Sequence, residues 1–303
     1  MWPMKLGIIS LQRGRAPYLL EWIAFHQVVG FERFIIYSHG LDSEQDALLN
    51  CLARVDPAIS WYRVGQQWKI PQLRANRHGW RHHGKEVDAM AFIDGDEFLH
   101  SPDGDLRDTL NRLLIPDASA LAVYWLIFGS SGHLDEPAGL LIEQFTRHSE
   151  STFDANRHIK IVLRRGEAAE FVNSHFFFTS KGTVDELGRR IDRPVSPFPA
   201  SHKHICINHY VTQSRAYYEQ VKRNMGQADR APEERHERTE DWFQAHDRNE
   251  CAYGYALNFA SRTRLRMDEL LADVRRVNPG YRAPPRPRLN RTTARPLRNS
   301  SRG

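Results

Sequence analysis

Short apolar runs alternate with segments of helical periodicity over the first third of the chain. The apolar runs predict buried strands, at residues 5–10, 34–37, 59–62 and 87–93. Helices are predicted between them, at residues 17–29, 43–52 and 70–83. This alternation predicts an α/β fold whose central sheet is mostly parallel and is covered by helices on both faces. Ligands of such sheets bind beyond the carboxyl ends of the strands.

The pattern is less regular in the rest of the chain. Apolar runs predict further strands, at residues 121–127, 159–163, 176–178 and 205–207. Two helices and one proline-containing loop are also predicted, at residues 215–223, 249–277 and 189–203 respectively. Neither an internal repeat nor a linker interrupts the pattern before residue 282, so we expect a single domain over residues 1–281.

The end of the chain differs in composition from the rest. The 303 residues carry a formal net charge of +5, and residues 282–303 contain seven arginines and no acid. Subtracting seven from five leaves −2 for residues 1–281. The end segment has too few large apolar residues to offset its ordering entropy, which predicts a disordered Arg/Pro-rich tail. Its charge favours contact with an anionic membrane surface rather than with a specific nucleic acid.

The composition is that of an ordinary globular protein, with 41% hydrophobic and 26% charged residues. Cys51, Cys206 and Cys251 are scattered, which predicts neither a disulfide framework nor a zinc site. No apolar run has the length of a membrane-spanning helix, and residues 1–5 lack the pattern of a signal peptide. We therefore expect a cytoplasmic protein, with peripheral contact to the inner face of the membrane through its tail.

An acidic turn follows the fourth predicted strand. Asp94 and Asp96 flank Gly95, and Glu97 comes next. Two neighbouring carboxylates repel each other unless a cation or a proton separates them, and oxygen ligands suit Mg²⁺ or Mn²⁺. A divalent ion at this turn would bind a nucleoside diphosphate and stabilise its charge as it leaves. The alternative interpretation is an exposed acidic turn without a ligand.

Five segments of the chain resemble a known group of enzymes. They are residues 18–26 with Gly30, residues 34–37, residues 92–98, Trp125 with residues 128–133, and residues 208–211 with Ser214. Together, over residues 5–225, they resemble GT-A fold glycosyltransferases, and specifically bacterial members near glycosyltransferase families 2 and 92. The order of the segments is that of the family.

The resemblance implies a GT-A fold and an inverting transfer of a sugar from a nucleoside diphosphate sugar, with a UDP-sugar favoured. It implies that Asp94 and Asp96 hold Mn²⁺ or Mg²⁺ and that Asp94 contacts the donor. His209, after a short predicted strand, takes the place of the late metal ligand in such enzymes. A lone structural histidine is the alternative for His209.

Four further residues are candidates for donor binding. Arg13 lies in the loop after the first strand, where the family has an Asn-Glu pair, and it is a candidate for phosphate contact. Asp42 follows the second strand and would accept from uracil or ribose, although it would also cap the next helix. Lys222 and Arg223, on a predicted helix, would reach the diphosphate, although such a pair is also common on solvated helices.

Inverting transfer needs a general base that deprotonates the acceptor hydroxyl. We expect it beyond the strand that contains Trp125, and Asp135 and Glu143 are the two candidates. His133, in a glycine- and serine-rich loop, is the candidate for contact with the acceptor, a glycan or a lipid-linked glycan. Each of the three is otherwise an ordinary surface residue. A role in cell-surface polysaccharide synthesis would follow from this chemistry.

Two other classes of function stay open at this point. A nucleotidyltransferase has a similar nucleotide-binding layout, although it usually has a Gly-rich basic loop after the first strand. A non-catalytic module would bind an anionic ligand through the arginine tail. A phosphohydrolase of the haloacid dehalogenase type ranks lower, because Phe98 stands where that group has Thr or Val.

Overall fold

The computed structural model describes residues 4–40, 42–65, 67–252 and 254–289. Its strands are β1 (Leu6–Gln12), β2 (Phe31–Ser38), β3 (Ile59–Arg63), β4 (Ala89–Phe92), β5 (Glu97–His100), β6 (Ala120–Ile127), β7 (Arg147–His148), β8 (Ile159–Arg164), β9 (Ala169–Phe171), β10 (Phe177–Thr179), β11 (Thr183–Val184), β12 (Arg190–Ile191), β13 (Cys206–His209) and β14 (Cys251–Ala252). Its helices are α1 (Leu19–Val28), α2 (Ser43–Val55), α3 (Pro71–His83), α4 (Leu106–Leu113), α5 (Leu141–Gln144), α6 (Arg215–Tyr217), α7 (Glu240–His246) and α8 (Ala260–Val277). A π-helical turn, Tyr218–Lys222, continues α6.

A mixed sheet forms the centre of the fold, with strand order β12-β11-β6-β8-β4-β1-β2-β3. Its middle is parallel, since β1 pairs with β2 and β4, and β2 pairs with β3. β8 lies between β4 and β6 and runs antiparallel to both. β13 pairs in parallel with β6 and antiparallel with β5. The α/β class predicted from the alternation of strands and helices is confirmed.

Helices cover both faces of the sheet. Because successive residues of a strand point to opposite faces, Ile8 of β1 belongs to one apolar cluster and Ile9 to another. The first cluster includes Trp22 of α1 and Leu270 of α8, and the second includes Ala75 of α3. The indole N–H of Trp22 also donates to the backbone oxygen at the start of β5, at 2.9 Å. This hydrogen bond ties the core to the acidic turn.

The carboxyl ends of four strands meet at one edge of the sheet. β1 and β4 are parallel, and the antiparallel β8 between β4 and β6 gives β6 the same direction as β4. β13 follows the direction of β6. The loops after β1, β4, β6 and β13 therefore lie together, and the amino end of β8 reaches the same edge.

The helix predicted over residues 249–277 begins later, at Ala260. Asn249 accepts a hydrogen bond from the backbone N–H of Ser131 at 2.8 Å, and β14 pairs with β7. Cys251 and Ala252 thus form a short antiparallel strand pair with β7 instead of the start of a helix. The loop predicted over residues 189–203 contains the short strand β12.

α8 is amphipathic, with Thr263, Leu270 and Val274 buried and charged residues on its other side. Among the described helices, none combines the length and the apolar character needed to cross a bilayer.

Residues 282–289, the first part of the predicted tail, lie against the domain. The Arg286 guanidinium donates to the backbone oxygen of Pro137 at 2.9 Å and lies 3.5 Å from the buried carboxylate of Glu21. Arg286 thus supplies a cation to a carboxylate that burial has removed from water, and the disordered tail over residues 282–303 stays a prediction. Residues 290–303 lie outside the described part of the chain. The single domain over residues 1–281 stays a prediction.

We expect Arg286→Ala to destabilise the fold at pH 8 by about 1–3 kcal/mol, because it leaves Glu21 buried without its cation. Burial raises the pKa of Glu21 from 4.5 to about 7, although Arg286 lowers it. The folded chain therefore holds this proton more tightly than the unfolded chain, and stability falls as pH rises from about 4.5 to about 7. Without Arg286 that fall becomes larger.

Urea unfolding of Arg286→Ala at pH 5 and pH 8 measures the effect. Arg288→Ala is the matched control, since Gln220 donates to the backbone oxygen of Arg288 and the substitution keeps that oxygen. An equal loss of stability at both pH values would contradict the assignment to Glu21.

Candidate functional site

A cavity of about 330 Å³ opens at the edge where the four strands end. Its walls come from the loops after β1, β4 and β13 and from the end of β6. Residues 155–158 before β8, residues 174–175 before β10 and residues 222–246 complete them. Arg13, Asp94, Asp96, His209 and Lys222 all line it, so the structure brings five of the sequence-predicted residues together. Their roles stay predictions.

The first carboxylate of the acidic turn is held by two side chains. Lys160 of β8 lies 2.7 Å from Asp94 Oδ2, and Gln72 of α3 donates to Oδ1. The backbone N–H of Asp94 donates to Glu97 Oε2 at 2.8 Å. Burial lowers the pKa of Lys160, but Asp94 and Glu97 raise it by more, so the net pKa is above its ordinary value. The lysine is therefore a permanent cation behind the turn.

The second carboxylate lies between a lysine and a histidine. Lys222 Nζ is 2.5 Å from Asp96 Oδ2, and His209 Nε2 is 3.7 Å from Oδ1. Burial raises the pKa of Asp96, but Lys222, His209 and Arg15 together lower it well below its usual range. Burial lowers the pKa of His209 despite the nearby carboxylate, so the ring is neutral at pH 7.

Gly95 allows the acidic turn to approach the loop after β1. A Cβ atom at this position would lie 2.1 Å from Gln12 Oε1 and 3.0 Å from Arg15 Cγ. Both neighbours are themselves buried. The absence of a side chain at residue 95 therefore lets the acidic turn lie directly against Gln12 and Arg15.

Arg15 is a buried cation of the loop after β1. Its guanidinium donates to Tyr217 Oη at 2.9 Å and to Gln213, and it lies 4.3 Å from the centre of the Tyr18 ring. Arg13, in the same loop, donates to the backbone oxygen of Met225. Both arginines line the cavity, so the loop after β1 supplies two positive charges.

Lys222 and Arg223, the two basic residues predicted for donor binding, lie at the end of the π-helical turn Tyr218–Lys222, and their side chains point in different directions. Lys222 is buried and faces Asp96, whereas Arg223 is partly exposed and pairs with Glu237 at 2.5 Å. Arg223 does not belong to the residues described as lining the cavity. The sequence predicts that both side chains reach the same diphosphate. Of these two described residues only Lys222 faces the cavity, because adjacent residues of a helix point in different directions.

Asp42 caps α2, as the alternative interpretation had it, and accepts from the backbone N–H of Gln45 at 2.9 Å. It also lines a second, more open cavity of about 610 Å³, with His39 and Arg13. Arg13 belongs to the walls of both cavities, so the two are neighbours. A contact between Asp42 and a nucleoside stays a prediction.

Asp135, Glu143 and His133 are not among the described residues that line the main cavity, and their roles stay predictions. Asp135 accepts from the backbone N–H of Leu289 at 2.6 Å. Arg264 of α8 pairs with Glu143, with Nε at 3.2 Å. His133 Nε2 lies 3.0 Å from the backbone oxygen of Gln144. The contacts of Asp135 and Glu143 thus come from distant parts of the chain, whereas that of His133 is with a nearby residue.

Asp96 and His209 have the chemistry of a divalent metal site. Cis ligands of an octahedral Mg²⁺ or Mn²⁺ ion lie about 3 Å apart. Asp96 Oδ1 and His209 Nε2 are 3.7 Å apart, so a small approach of the two side chains would bring them to that spacing. The Trp125 ring, 4.2 Å from the imidazole centre, fixes the histidine. Within the described residues, no three His, Cys, Asp or Glu side chains already converge on one point. The donor set fits an ion once Lys222 moves.

Comparisons with known proteins give remote similarities. No protein-family model matches the chain. A glycosyltransferase family 92 protein of Ricinus communis is 27% identical over 143 residues, which cover 45% of this chain and 25% of the relative. A glycosyltransferase family 92 protein of Oryza sativa subsp. japonica is 28% identical over 139 residues, covering 44% and 23%. The chain thus spans about a quarter of the length of the curated relatives it matches.

Two solved structures are also similar in part. The mannosyltransferase PcManGT of Pyrobaculum calidifontis, in complex with GDP-Man and Mn²⁺, has 14% identity and a TM-score of 0.32 over 41% of this chain and 36% of its own. HddC of Yersinia pseudotuberculosis has 11% identity and a TM-score of 0.30 over 68% and 77%. Neither likeness bears on the activity of this chain.

We expect Gly95→Ala to lower the free energy of unfolding by about 1–3 kcal/mol, because the new methyl group overlaps Gln12 and crowds Arg15. Urea unfolding measures the change. Gly280→Ala is the control, since a Cβ there meets its nearest atom, Asn278 Oδ1, at 3.8 Å. A Gly95→Ala protein as stable as wild type would contradict the close approach of the two loops.

Proposed function

We propose that the chain is a GT-A glycosyltransferase that moves a sugar from a nucleoside diphosphate sugar to an acceptor hydroxyl with inversion. The observation that carries the proposal is the cavity at the strand ends, where Asp94, Asp96 and His209 lie among basic side chains. Similarity to two family 92 glycosyltransferases over slightly less than half of the chain supports the same class of reaction.

The basic side chains of the cavity fit a diphosphate. Arg13, Arg15, Lys222 and Arg238 line it, and arginine and lysine bind phosphate oxygens through charge-assisted hydrogen bonds. In the described structure Lys160 and Lys222 already neutralise the two carboxylates of the acidic turn. The arginines therefore add net positive charge for the donor. The preference for a UDP-sugar stays a prediction.

Asp96 and His209 would hold a divalent ion, with Asp94 beside them. When bound, such an ion would stabilise the charge that develops on the departing diphosphate. Trp125 and Lys160 would orient this part of the site: the indole packs against His209, and the lysine fixes Asp94.

One side of the cavity is lined by aromatic rings. The His158 ring stacks on Trp125, with centroids 5.0 Å apart and planes 19° apart, and the His175 ring meets the edge of the same indole. Burial lowers the pKa of both histidines, so their rings are neutral at pH 7. Aromatic faces with polar ring nitrogens suit a neutral sugar. We propose that a glycan acceptor lies here.

Asp229 is our candidate for the general base. It lines the cavity beside Ser174, whose hydroxyl lies 3.2 Å from Asp229 Oδ2. Asp94 and Asp96 are each in an ion pair with a lysine, whereas the hydrogen bond of Asp229 is with a neutral hydroxyl, and Lys160 and Arg238 act on it electrostatically. Its carboxylate would take the proton of the acceptor hydroxyl as the new bond to the anomeric carbon forms. The bond from that carbon to the phosphate oxygen breaks, and its electron pair leaves with the diphosphate.

Release of nucleoside diphosphate from a panel of UDP- and GDP-sugars, in the presence of Mn²⁺, tests the proposal. We expect turnover of at least one donor by wild type and a loss of about 10²–10³-fold in Asp96→Asn, because one preorganised charge is removed. Asp103→Asn, an exposed acid paired with Arg112, should keep full activity. Turnover of no donor by wild type, or full activity of Asp96→Asn, would contradict a transferase site at this turn.

The assignment of the base has a separate test. We expect Asp229→Asn to lower kcat for transfer by about 10²–10⁴-fold while the affinity for the nucleoside diphosphate stays within twofold. Asp135→Asn and Glu143→Gln, which change the two sequence-predicted candidates, should keep kcat near wild type. Steady-state kinetics and titration calorimetry measure both quantities. A drop in kcat for Asp135→Asn or Glu143→Gln, but not for Asp229→Asn, would instead identify Asp135 or Glu143 as the general base.

A further inference from the structure

The contact between Lys222 and Asp96 joins two oppositely charged groups that water hardly reaches. Nζ lies 2.5 Å from Oδ2, and the two side chains are 9% and 10% exposed. An ion pair in such surroundings is held strongly, because separating it leaves each charge uncompensated in a medium of low dielectric constant. Any cation that binds Asp96 Oδ2 must first displace this lysine.

The charges of the site disfavour a divalent ion that arrives alone. Lys160 balances Asp94, and Lys222 balances Asp96. An added dication would therefore leave two positive charges uncompensated. Arg15, which is only 3% exposed and lines the same cavity, adds a further positive charge nearby. A diphosphate that arrives with the ion supplies the missing negative charge and offers oxygens to the displaced ammonium group.

Lys222 can change partner without a movement of the backbone. Its position is fixed by the π-helical turn, in which the N–H of Arg223 donates to the oxygen of Tyr218 at 2.8 Å. Arg238 donates to the backbone oxygen of Lys222 at 3.0 Å and holds the end of the turn. The four rotatable bonds of a lysine side chain then allow Nζ to swing between a carboxylate and a phosphate.

We propose that Lys222 is a stand-in cation that occupies Asp96 until the divalent ion and the nucleoside diphosphate enter together. The inference rests on the proposed function for the identity of the second ligand. In the donor-free protein the ammonium group occupies Asp96 Oδ2, and its positive charge disfavours an ion between Oδ1 and His209. In the donor complex it binds phosphate, and Asp96 Oδ2 becomes available. The lysine thus couples the two ligands, and each must raise the affinity for the other by the same factor.

Binding of Mn²⁺ alone is the decisive measurement, by titration calorimetry and by electron paramagnetic resonance of the free ion. We expect weak binding to wild type and binding at least tenfold tighter to Lys222→Met, since the competitor is gone. With saturating UDP or GDP, wild type should bind Mn²⁺ at least tenfold more tightly than without nucleotide. In Lys222→Met this difference should shrink to about threefold or less.

Arg223→Met is the matched control, because it removes the adjacent positive charge, which pairs with Glu237 away from Asp96. It should behave as wild type. Lys222→Arg keeps a cation at Asp96 and should keep Mn²⁺ binding weak, and it serves as the second variant if Lys222→Met does not fold. Circular dichroism checks the fold of each protein.

Unchanged Mn²⁺ affinity in Lys222→Met, with the fold intact, overturns the inference. Equal tightening in Arg223→Met overturns it as well, since a general loss of charge would then explain the effect. Failure of wild type to bind UDP or GDP, with or without Mn²⁺, contradicts the proposed function instead. The titration with Mn²⁺ alone still decides the role of Lys222 in that case.

Discussion

Two ion pairs, Lys160 with Asp94 and Lys222 with Asp96, allow charged side chains to lie at the edge of the sheet. Lys160, Lys222 and Asp96 are buried, whereas the Asp94 side chain is 28% exposed. Carboxylates removed from water cost several kcal/mol each unless a cation compensates them. The fold supplies both cations from a distance in sequence. Because β8 runs antiparallel between β4 and β6, its first residues rather than its last reach this edge, and Lys160 is among them. The π-helical turn supplies the second cation.

The part of the site that depends on local pattern could be predicted from the sequence. An apolar run that ends in Asp-Gly-Asp places Asp94 and Asp96 at a strand end, and the same logic places His209 at the end of β13 and Arg13 after β1. All four line one cavity because parallel strands share a direction. Lys160, which is fully buried in the fold, was not among the predicted residues. The signal that could have found it is a lysine within an otherwise apolar strand.

The remainder depends on contacts between distant segments, which a periodic pattern does not encode. Asp135 and Glu143 follow β6, as a base should, but Leu289 and Arg264 take up their carboxylates. Arg286 lies in a composition typical of disorder, yet it meets the buried Glu21. In the same way β14, which pairs with β7, displaces the start of the predicted last helix. In each case a charge or a hydrogen bond from far along the chain decided the outcome.

The π-helical turn also makes the site sensitive to the deletion of a residue from this segment of the chain. Such a turn is equivalent to one residue inserted into an α-helix, and it is common where function needs a side chain out of the regular register. Each residue of an α-helix rotates the chain by about 100°. Loss of a single residue within Tyr218–Lys222 would therefore turn the lysine away from Asp96 while every amino acid type in the cavity stayed the same. The position of this charge is encoded by spacing as much as by identity.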